Sequence, residues 1–175
     1  DMAELTHRWD GGDVVLITYA DTIGDEGVPG LQALKLFVNR HLQPFAAVIH
    51  VLPFLQSTSD GGFAVASHTK LEQRFGDWSD LAALAQGRRL MADLVLNHVS
   101  ASHPWVQQFM RDERPGRSCV LEAAPDPCWA DVVRPRSSSL FTQLRGPKGA
   151  RQVWTTFGPD QVDLNWRSVE VLLGF

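Results

Sequence analysis

The sequence is poor in cysteine. Only two cysteines occur among its 175 residues, Cys119 and Cys128, and they lie nine positions apart in a proline-rich segment. No histidine stands at ligand spacing around them, so the paired-ligand pattern of a zinc site is missing. Two reduced thiols are the simplest expectation, with a disulfide as the alternative. No acidic cluster suggests calcium either, and we expect no metal.

The sequence also has no apolar run long enough to cross a bilayer. Its longest, residues 45–55, is interrupted by His50 and Pro53. No charged segment followed by an apolar one opens the chain, whose first residue is Asp1, so we expect no secretory signal and a cytoplasmic location. The net charge of -4 argues against nucleic acid as a partner, because backbone binding needs a clustered basic surface. An apolar content of 44% is ample for a buried core.

Apolar runs and helical spacings alternate through the first hundred residues. The runs, rich in β-branched residues, are typical of strands buried on both faces, and they cover residues 14–20, 45–52 and 90–96. Helical spacing covers residues 31–38 and 78–85 between them, with Asp77 or Ser79 as N-cap. Strands that alternate with helices predict repeated βαβ units and a parallel sheet.

The pattern changes after Ser100. Residues 101–151 hold most of the prolines and show no strong periodicity, before residues 169–173 return to helical spacing. We therefore predict an α/β fold: an incomplete (β/α)8 TIM barrel, its first three βα units, with an inserted lobe resembling domain B after strand 3. The predicted boundaries are 1–100 for the first part of the barrel, 101–160 for the lobe and 161–175 for the return. An open parallel sheet of this kind exposes edges and apolar faces, so we expect aggregation or dependence on further barrel units.

Seven strings, in order along the chain, resemble one family. They are LITYAD (16–21), HVLPF (50–54), DGGF (60–63), FGDWSDL (75–81), DLVLNHVS (93–100), VVRPR (132–136) and VWTTFGPDQVDLNW (153–166). Together they are similar to the sucrose phosphorylase-like subfamily of glycoside hydrolase family 13, within the α-amylase superfamily.

The resemblance implies three donor-side residues. Asp60 would hold the far hydroxyl of a terminal glucosyl unit, since a carboxylate is a strong acceptor, although its Asp-Gly dipeptide also suits a plain turn. Phe63 would form an apolar wall. His98 would contact the same sugar, with satisfaction of a loop carbonyl as the alternative. Asp93 and Asn97 of the same motif are expected to be structural.

The resemblance also implies an acceptor side. Arg136, with Arg134 second, would pair with phosphate, although both could be ordinary surface arginines. Phe157 would add an aromatic wall, and Gln161 an amide that both donates and accepts. The string around His68 departs from the family pattern, because Ser67 precedes it where Asp is usual. For His68 itself, a sugar contact and a structural role are equally expected.

The catalytic carboxylates of the family are expected beyond Phe175, because the chain contains no Arg-x-Asp-Ala string for the nucleophilic Asp. No catalytic residue is therefore assigned in this chain. The resemblance implies a retaining glycoside phosphorylase that makes α-glucose 1-phosphate from sucrose or a related α-glucoside and phosphate, without a cofactor. The residues present would be inactive alone. The alternatives are a hydrolase or transglucosidase of the same superfamily, and a non-catalytic carbohydrate-binding protein.

Overall fold

A computed structural model describes residues 10–123, 126–134 and 136–175. The chain packs as two compact units. Unit 1 runs to Phe54 and resumes over residues 71–93, and unit 2 combines residues 55–70 with residues 94–175.

Unit 1 is a parallel sheet with helical connections. Its strands and α-helices are β1 (Val15–Thr18), α1 (Gly30–Phe37), β2 (Val48–Val51), α2 (Trp78–Leu84) and β3 (Arg89–Ala92). A π-helical turn, Val38–Leu42, extends α1, and a 3-10 turn, Gln73–Phe75, precedes α2. The sheet order is β1-β2-β3, with Val48 aligned with Val15 on one side and Arg89 on the other. The predicted alternation of strands and helices is confirmed, although each strand is shorter than its apolar run.

Only the central strand is as buried as its sequence predicts. Ile49 and Val51 of β2 have no exposed surface, whereas Ile17 of β1 is 62% exposed and Met91 of β3 is 45% exposed. The prediction that all three strands are buried on both faces is therefore wrong for this chain. A strand needs a neighbour on each side and a cover on each face, and among the described residues of unit 1 only β2 has both neighbours.

The two α-helices of unit 1 begin for different reasons. The Asp77 side chain caps α2 by accepting hydrogen bonds from the N–H groups of Ser79 and Asp80. The Asp80 side chain in turn accepts the Asp77 N–H, which completes a capping box. Helix α1 starts at Gly30 after Pro29 and packs through Leu31 and Leu34, both fully buried. A β-carbon at Gly30 would stand 2.6 Å from the carbonyl oxygen of Ala20, so the close approach of helix and chain requires glycine there.

Unit 2 combines short helices with antiparallel strands. They are β4 (His98–Ser100), α3 (Pro104–Arg111), α4 (Gly116–Cys119), β5 (Phe141–Gly146), β6 (Gly149–Trp154), β7 (Gln161–Asp163) and α5 (Val169–Gly174). Strand β4 pairs with β7, and β5 pairs with β6 as a hairpin. A 3-10 turn, Pro127–Asp131, precedes the hairpin.

The core of unit 2 surrounds α3. The sequence did not predict this helix, because residues 101–151 show no strong periodicity. Val106 and Phe109 on its inner face pack with Val99 of β4, Val153 of β6 and Val162 of β7. His103 caps the helix, and Pro104 occupies its first turn, where a missing N–H costs nothing. The helix is as long as α1, so its length is not why it was missed; it lies in the proline-rich segment 101–151, whose sequence predicts irregular structure throughout.

The described ranges contain neither a membrane-spanning helix nor a cluster of metal-ligating side chains. None of the helices there is long and apolar enough to span a bilayer. No three or more His, Cys, Asp or Glu residues come together there as a metal site would need. Cys119 is buried and Cys128 exposed, and both are free thiols.

Candidate functional site

The loop that follows β2 carries Asp60 in an unusual backbone conformation. Asp60, Gly61 and Gly62 have φ values of 54°, 61° and 103°, three successive residues in the region that favours glycine. The loop is folded back on itself by hydrogen bonds between Thr58 and Ala64 and by a bridge between Ser57 and Val65. The Ser100 N–H then donates to the Val65 carbonyl, which ties the loop to β4.

A chain of polar contacts joins Asp60 to His98 through Gln161. The Gln161 amide nitrogen lies 2.8 Å from the Asp60 carboxylate and 3.0 Å from Nε2 of His98. Gln161 and His98 are 4% and 5% exposed, and they stand at opposite ends of the paired strands β7 and β4. The antiparallel pairing thus brings together residues that are far apart in the chain.

His98 is held as a neutral ring. Burial lowers its pKa, and the nearby carboxylates of Asp163 and Asp60 oppose that shift only in part. Its Nε2 lies 3.1 Å from the Phe63 carbonyl oxygen, a contact that requires a proton on Nε2. The Gln161 amide would require the same nitrogen to be bare. Nε2 can therefore satisfy only one of these two neighbours at a time.

An open cavity of about 520 Å³ adjoins this chain of contacts. Its walls include Asp60, Arg136, Phe157, Asp160 and Gln161. The volume lies in the range of small-molecule sites. His98 does not line the cavity but stands one contact behind Gln161, with its ring 5.1 Å from that of Phe157.

The structure thus brings the sequence-predicted residues into one region of unit 2. Asp60, Arg136, Phe157 and Gln161 line the cavity. Phe63 reaches His98 through its backbone carbonyl, and its ring is not among the cavity walls.

The two arginine candidates differ in their partners. Arg134 donates to the Thr156 carbonyl oxygen at 2.9 Å and thereby supports the chain. Arg136 is half exposed at the cavity, and its guanidinium lies 3.8 Å from the Asp60 carboxylate. Arg136 is the one placed to meet an anion, because its donors are not spent on the backbone in the described structure.

His68 lies outside the cavity walls. Its ring contacts His103 at 5.4 Å and Phe175 at 4.7 Å, and burial lowers its pKa. Its Nε2 is buried and has no hydrogen-bond partner in the part of the chain that the structure describes. These contacts indicate that His68 packs against its aromatic neighbours.

Asn97 and Asp163 form a hydrogen-bonded pair at the ends of β4 and β7. Asn97 donates to the Asp163 carboxylate at 3.1 Å, and Thr156 donates to the same group through its hydroxyl and its N–H. Burial nevertheless raises the pKa of Asp163 above its usual value. In unit 1, Asp93 makes a 2.9 Å pair with His50, a contact that no sequence motif had indicated.

Asp160 was missed by sequence reasoning. It follows Pro159 in a segment that reads as an ordinary turn, and its partners lie about sixty and one hundred positions away. Only a structure could reveal them.

Comparison with known proteins gives a consistent result. The family model for the alpha-amylase catalytic domain matches residues 44–172. Over 94% of its length the chain is 45% identical to a glucosylglycerate phosphorylase of Allomeiothermus silvanus, of which it covers 30%. Over 89% of its length it is 34% identical to a sucrose phosphorylase of Agrobacterium vitis, of which it covers 34%. The chain thus spans about a third of the length of these relatives.

A solved structure shares the fold. The crystal structure of sucrose 6F-phosphate phosphorylase from Thermoanaerobacter thermosaccharolyticum matches 98% of the chain with a TM-score of 0.85 at 24% identity, and the match covers 37% of that enzyme. At this identity the likeness concerns the fold. The fold class expected from the sequence, part of a (β/α)8 barrel, is confirmed.

Proposed function

Because the chain belongs to the alpha-amylase catalytic-domain family, we propose that it forms the sugar-binding part of a retaining glycoside phosphorylase. In this proposal the cavity beside Asp60 receives the terminal glucosyl unit of an α-glucoside. The observation that carries it is the contact chain from Asp60 through Gln161 to His98, beside a cavity that also presents the Arg136 guanidinium. Carboxylate, amide and neutral imidazole are the groups that recognise sugar hydroxyls.

The reaction would be a double displacement. A carboxylate oxygen bonds to C1 of the glucosyl unit while the bond to the leaving oxygen breaks, and a carboxylic acid gives that oxygen its proton. A phosphate oxygen then displaces the carboxylate from C1 and yields α-glucose 1-phosphate. We assign neither catalytic carboxylate to this chain and propose that both belong to the remaining length that the relatives have.

The residues of this chain would bind and orient. Asp60 would hold the glucosyl unit, Phe157 would wall it, and Arg136 would draw phosphate toward C1. His98 would act from behind Gln161, and Phe63 through the contact of its carbonyl oxygen with His98. Gln161 stands between Asp60 and His98, so we place it at the donor sugar as well as facing the acceptor. No cofactor is needed for this chemistry, and phosphate is the co-substrate.

The donor is the finer part of the proposal. The higher identity to a glucosylglycerate phosphorylase than to a sucrose phosphorylase makes glucosylglycerate the first donor to test, and sucrose the second. A cytoplasmic location would suit such substrates and remains a prediction.

The test uses the full-length protein. It is incubated with each donor, with and without inorganic phosphate, and the products are separated. α-Glucose 1-phosphate that forms only with phosphate supports the proposal. Free glucose formed at the same rate without phosphate would indicate a hydrolase, and binding without turnover a carbohydrate-binding protein.

A variant pair then tests the cavity. Arg136→Ala should raise the KM for phosphate about tenfold or more and leave the donor KM within about twofold, because it removes one charge-assisted contact. Arg145→Ala is the matched control, since Arg145 is an exposed arginine of β5 that does not line the cavity. Equal effects of the two substitutions would remove Arg136 from the site.

A further inference from the structure

Asp160 gathers four hydrogen-bond donors from two distant segments. One carboxylate oxygen accepts the hydroxyls of Thr58 at 2.5 Å and Ser59 at 2.7 Å. The other accepts the Ala101 N–H at 3.1 Å and the Ser100 hydroxyl at 3.3 Å. A carboxylate is the side chain that can accept all four, because it has two oxygens and no proton of its own to place.

The two donors on the first oxygen immediately precede Asp60 in the chain. Asp60 opens the run of three residues with positive φ, a conformation that a non-glycine residue adopts only when its surroundings hold it. The Thr58 and Ser100 hydroxyls lie 2.6 Å apart, and because Thr58 gives its proton to Asp160, the single Ser100 proton can go to only one of Thr58 and Asp160. The backbone leading into Asp60 is therefore fastened to β4 through Asp160.

Asp160 is not suited to act on the substrate directly. It lines the cavity, but its oxygens are occupied by the loop and by the start of the segment after β4. Asp60, by contrast, accepts one amide N–H from Gln161 and pairs with the Arg136 guanidinium at 3.8 Å. One carboxylate in this cavity is engaged in holding the fold, and the other has acceptor capacity to spare.

We propose that Asp160 is a positioning residue for Asp60: it fixes Thr58 and Ser59 against β4 and so sets where the Asp60 carboxylate stands in the cavity. The inference rests on the proposed function, because it takes Asp60 as the group that holds the glucosyl donor. It assigns a role to a residue whose carboxylate oxygens are engaged by the protein itself.

The experiment measures KM for donor, KM for phosphate and kcat in the full-length protein. Asp160→Ala should raise the donor KM about tenfold or more and leave the phosphate KM within about twofold. Asp160→Asn, which keeps one acceptor oxygen, should fall between Ala and the wild type. Asp126→Ala is the matched control, because Asp126 also caps a turn by accepting a backbone N–H but lies outside this cavity.

A double-mutant cycle separates positioning from general damage. If Asp160 acts through Asp60, then Asp160→Ala should cost no further donor affinity in an Asp60→Ala background. Additive losses, or equal changes in the donor and phosphate KM values, would overturn the proposal.

Hydrogen exchange gives a readout independent of turnover. Asp160→Ala should speed amide exchange in peptides covering residues 56–66 and leave those from β5 and β6 unchanged. If the wild type turns over no α-glucoside, the proposed function fails, and faster exchange at 56–66 still establishes the hold of Asp160 on the loop. If the wild type is active but Asp160→Ala changes neither the amide exchange at 56–66 nor the donor KM, the positioning role of Asp160 is refuted and the proposed function stands.

Discussion

The side-chain amide of Gln161 donates to the carboxylate of Asp60 at 2.8 Å, although the two residues are 101 positions apart. This bond gives Asp60 a neutral hydrogen-bond partner. A sugar hydroxyl that binds Asp60 must share the carboxylate with Gln161 or displace the amide. The pair therefore couples the start of β7 to the loop after β2 in any complex.

Replacing Gln161 with Met tests this bond. Met has a similar length but no amide donor, so Asp60 would lose its bond and the free energy of unfolding should fall by about 1–3 kcal/mol, the range for a hydrogen bond to a charged group. Denaturant unfolding followed by tryptophan fluorescence measures the change. Gln143→Met is the control, because Gln143 is exposed on β5. A loss no greater than that of the control would show that the amide does not stabilise the site.

Arg151 joins β6 to the core of unit 2 by several contacts. It makes two hydrogen bonds with Glu122, at 2.8 Å and 2.6 Å, and donates to the Phe109 carbonyl oxygen at 2.7 Å. Its guanidinium carbon lies 3.5 Å from the centre of the Phe109 ring. The hydrogen bonds from Arg151 also lower the pKa of Glu122.

We expect Arg151→Lys to destabilise the protein by about 1–2 kcal/mol, because a lysine cannot make the forked contact or stack on the ring. Thermal unfolding is the measurement. Arg145→Lys on the neighbouring strand provides the comparison, since Arg145 is exposed. Indistinguishable midpoints for the two variants would contradict the expected role of the fork.

His103 should make stability depend on pH. This residue is 7% exposed, and burial, followed by the neighbouring His68, lowers its pKa from 6.5 to about 4. Its Nδ1 accepts the Trp105 N–H to cap α3, which only the unprotonated ring can do. Between these two pKa values the unfolded chain binds the proton more readily than the folded chain does, so stability falls as pH drops from about 6.5 to about 4. The full difference corresponds to about 3 kcal/mol.

His103→Asn should flatten this pH dependence, because Asn keeps a capping oxygen but does not titrate in this range. Denaturant unfolding of both proteins at several pH values between about 7 and about 4 gives the two slopes. His41→Asn, at an exposed position, serves as the control. Parallel slopes for the wild type and His103→Asn would mean that other groups cause the acid sensitivity.

Gly30→Ala should destabilise unit 1, against the usual preference of helices for alanine. A β-carbon there would lie 2.6 Å from the Ala20 carbonyl oxygen, so α1 or the end of β1 must move. Overpacking of this kind costs about 1–3 kcal/mol. Gly24→Ala is the control, because nothing lies within 4 Å of its β-carbon position. The measurement is the thermal unfolding midpoint of each variant. An unchanged midpoint for Gly30→Ala would show that the backbone accommodates the methyl group.

Sequence reasoning succeeded where the signal was local. The apolar run around Ile49 was located correctly, and Asp77 is one of the two N-cap residues that the sequence offered; both signals act over a few neighbours. It failed for α3, which lies in the proline-rich segment 101–151 and packs against β4 and β6. It also overstated the burial of β1 and β3, because composition reports how apolar a strand is and not what covers it.

By itself, the sequence determined the alternating parallel strands and helices of unit 1 and the residue types from which a sugar site could be built. The tertiary structure alone decided that Gln161 stands between Asp60 and His98 and that Asp160 holds the loop before Asp60. The physical reason is range. Periodicity and capping act between neighbours in the chain, whereas these hydrogen bonds join side chains that become neighbours only when β4 and β7 pair.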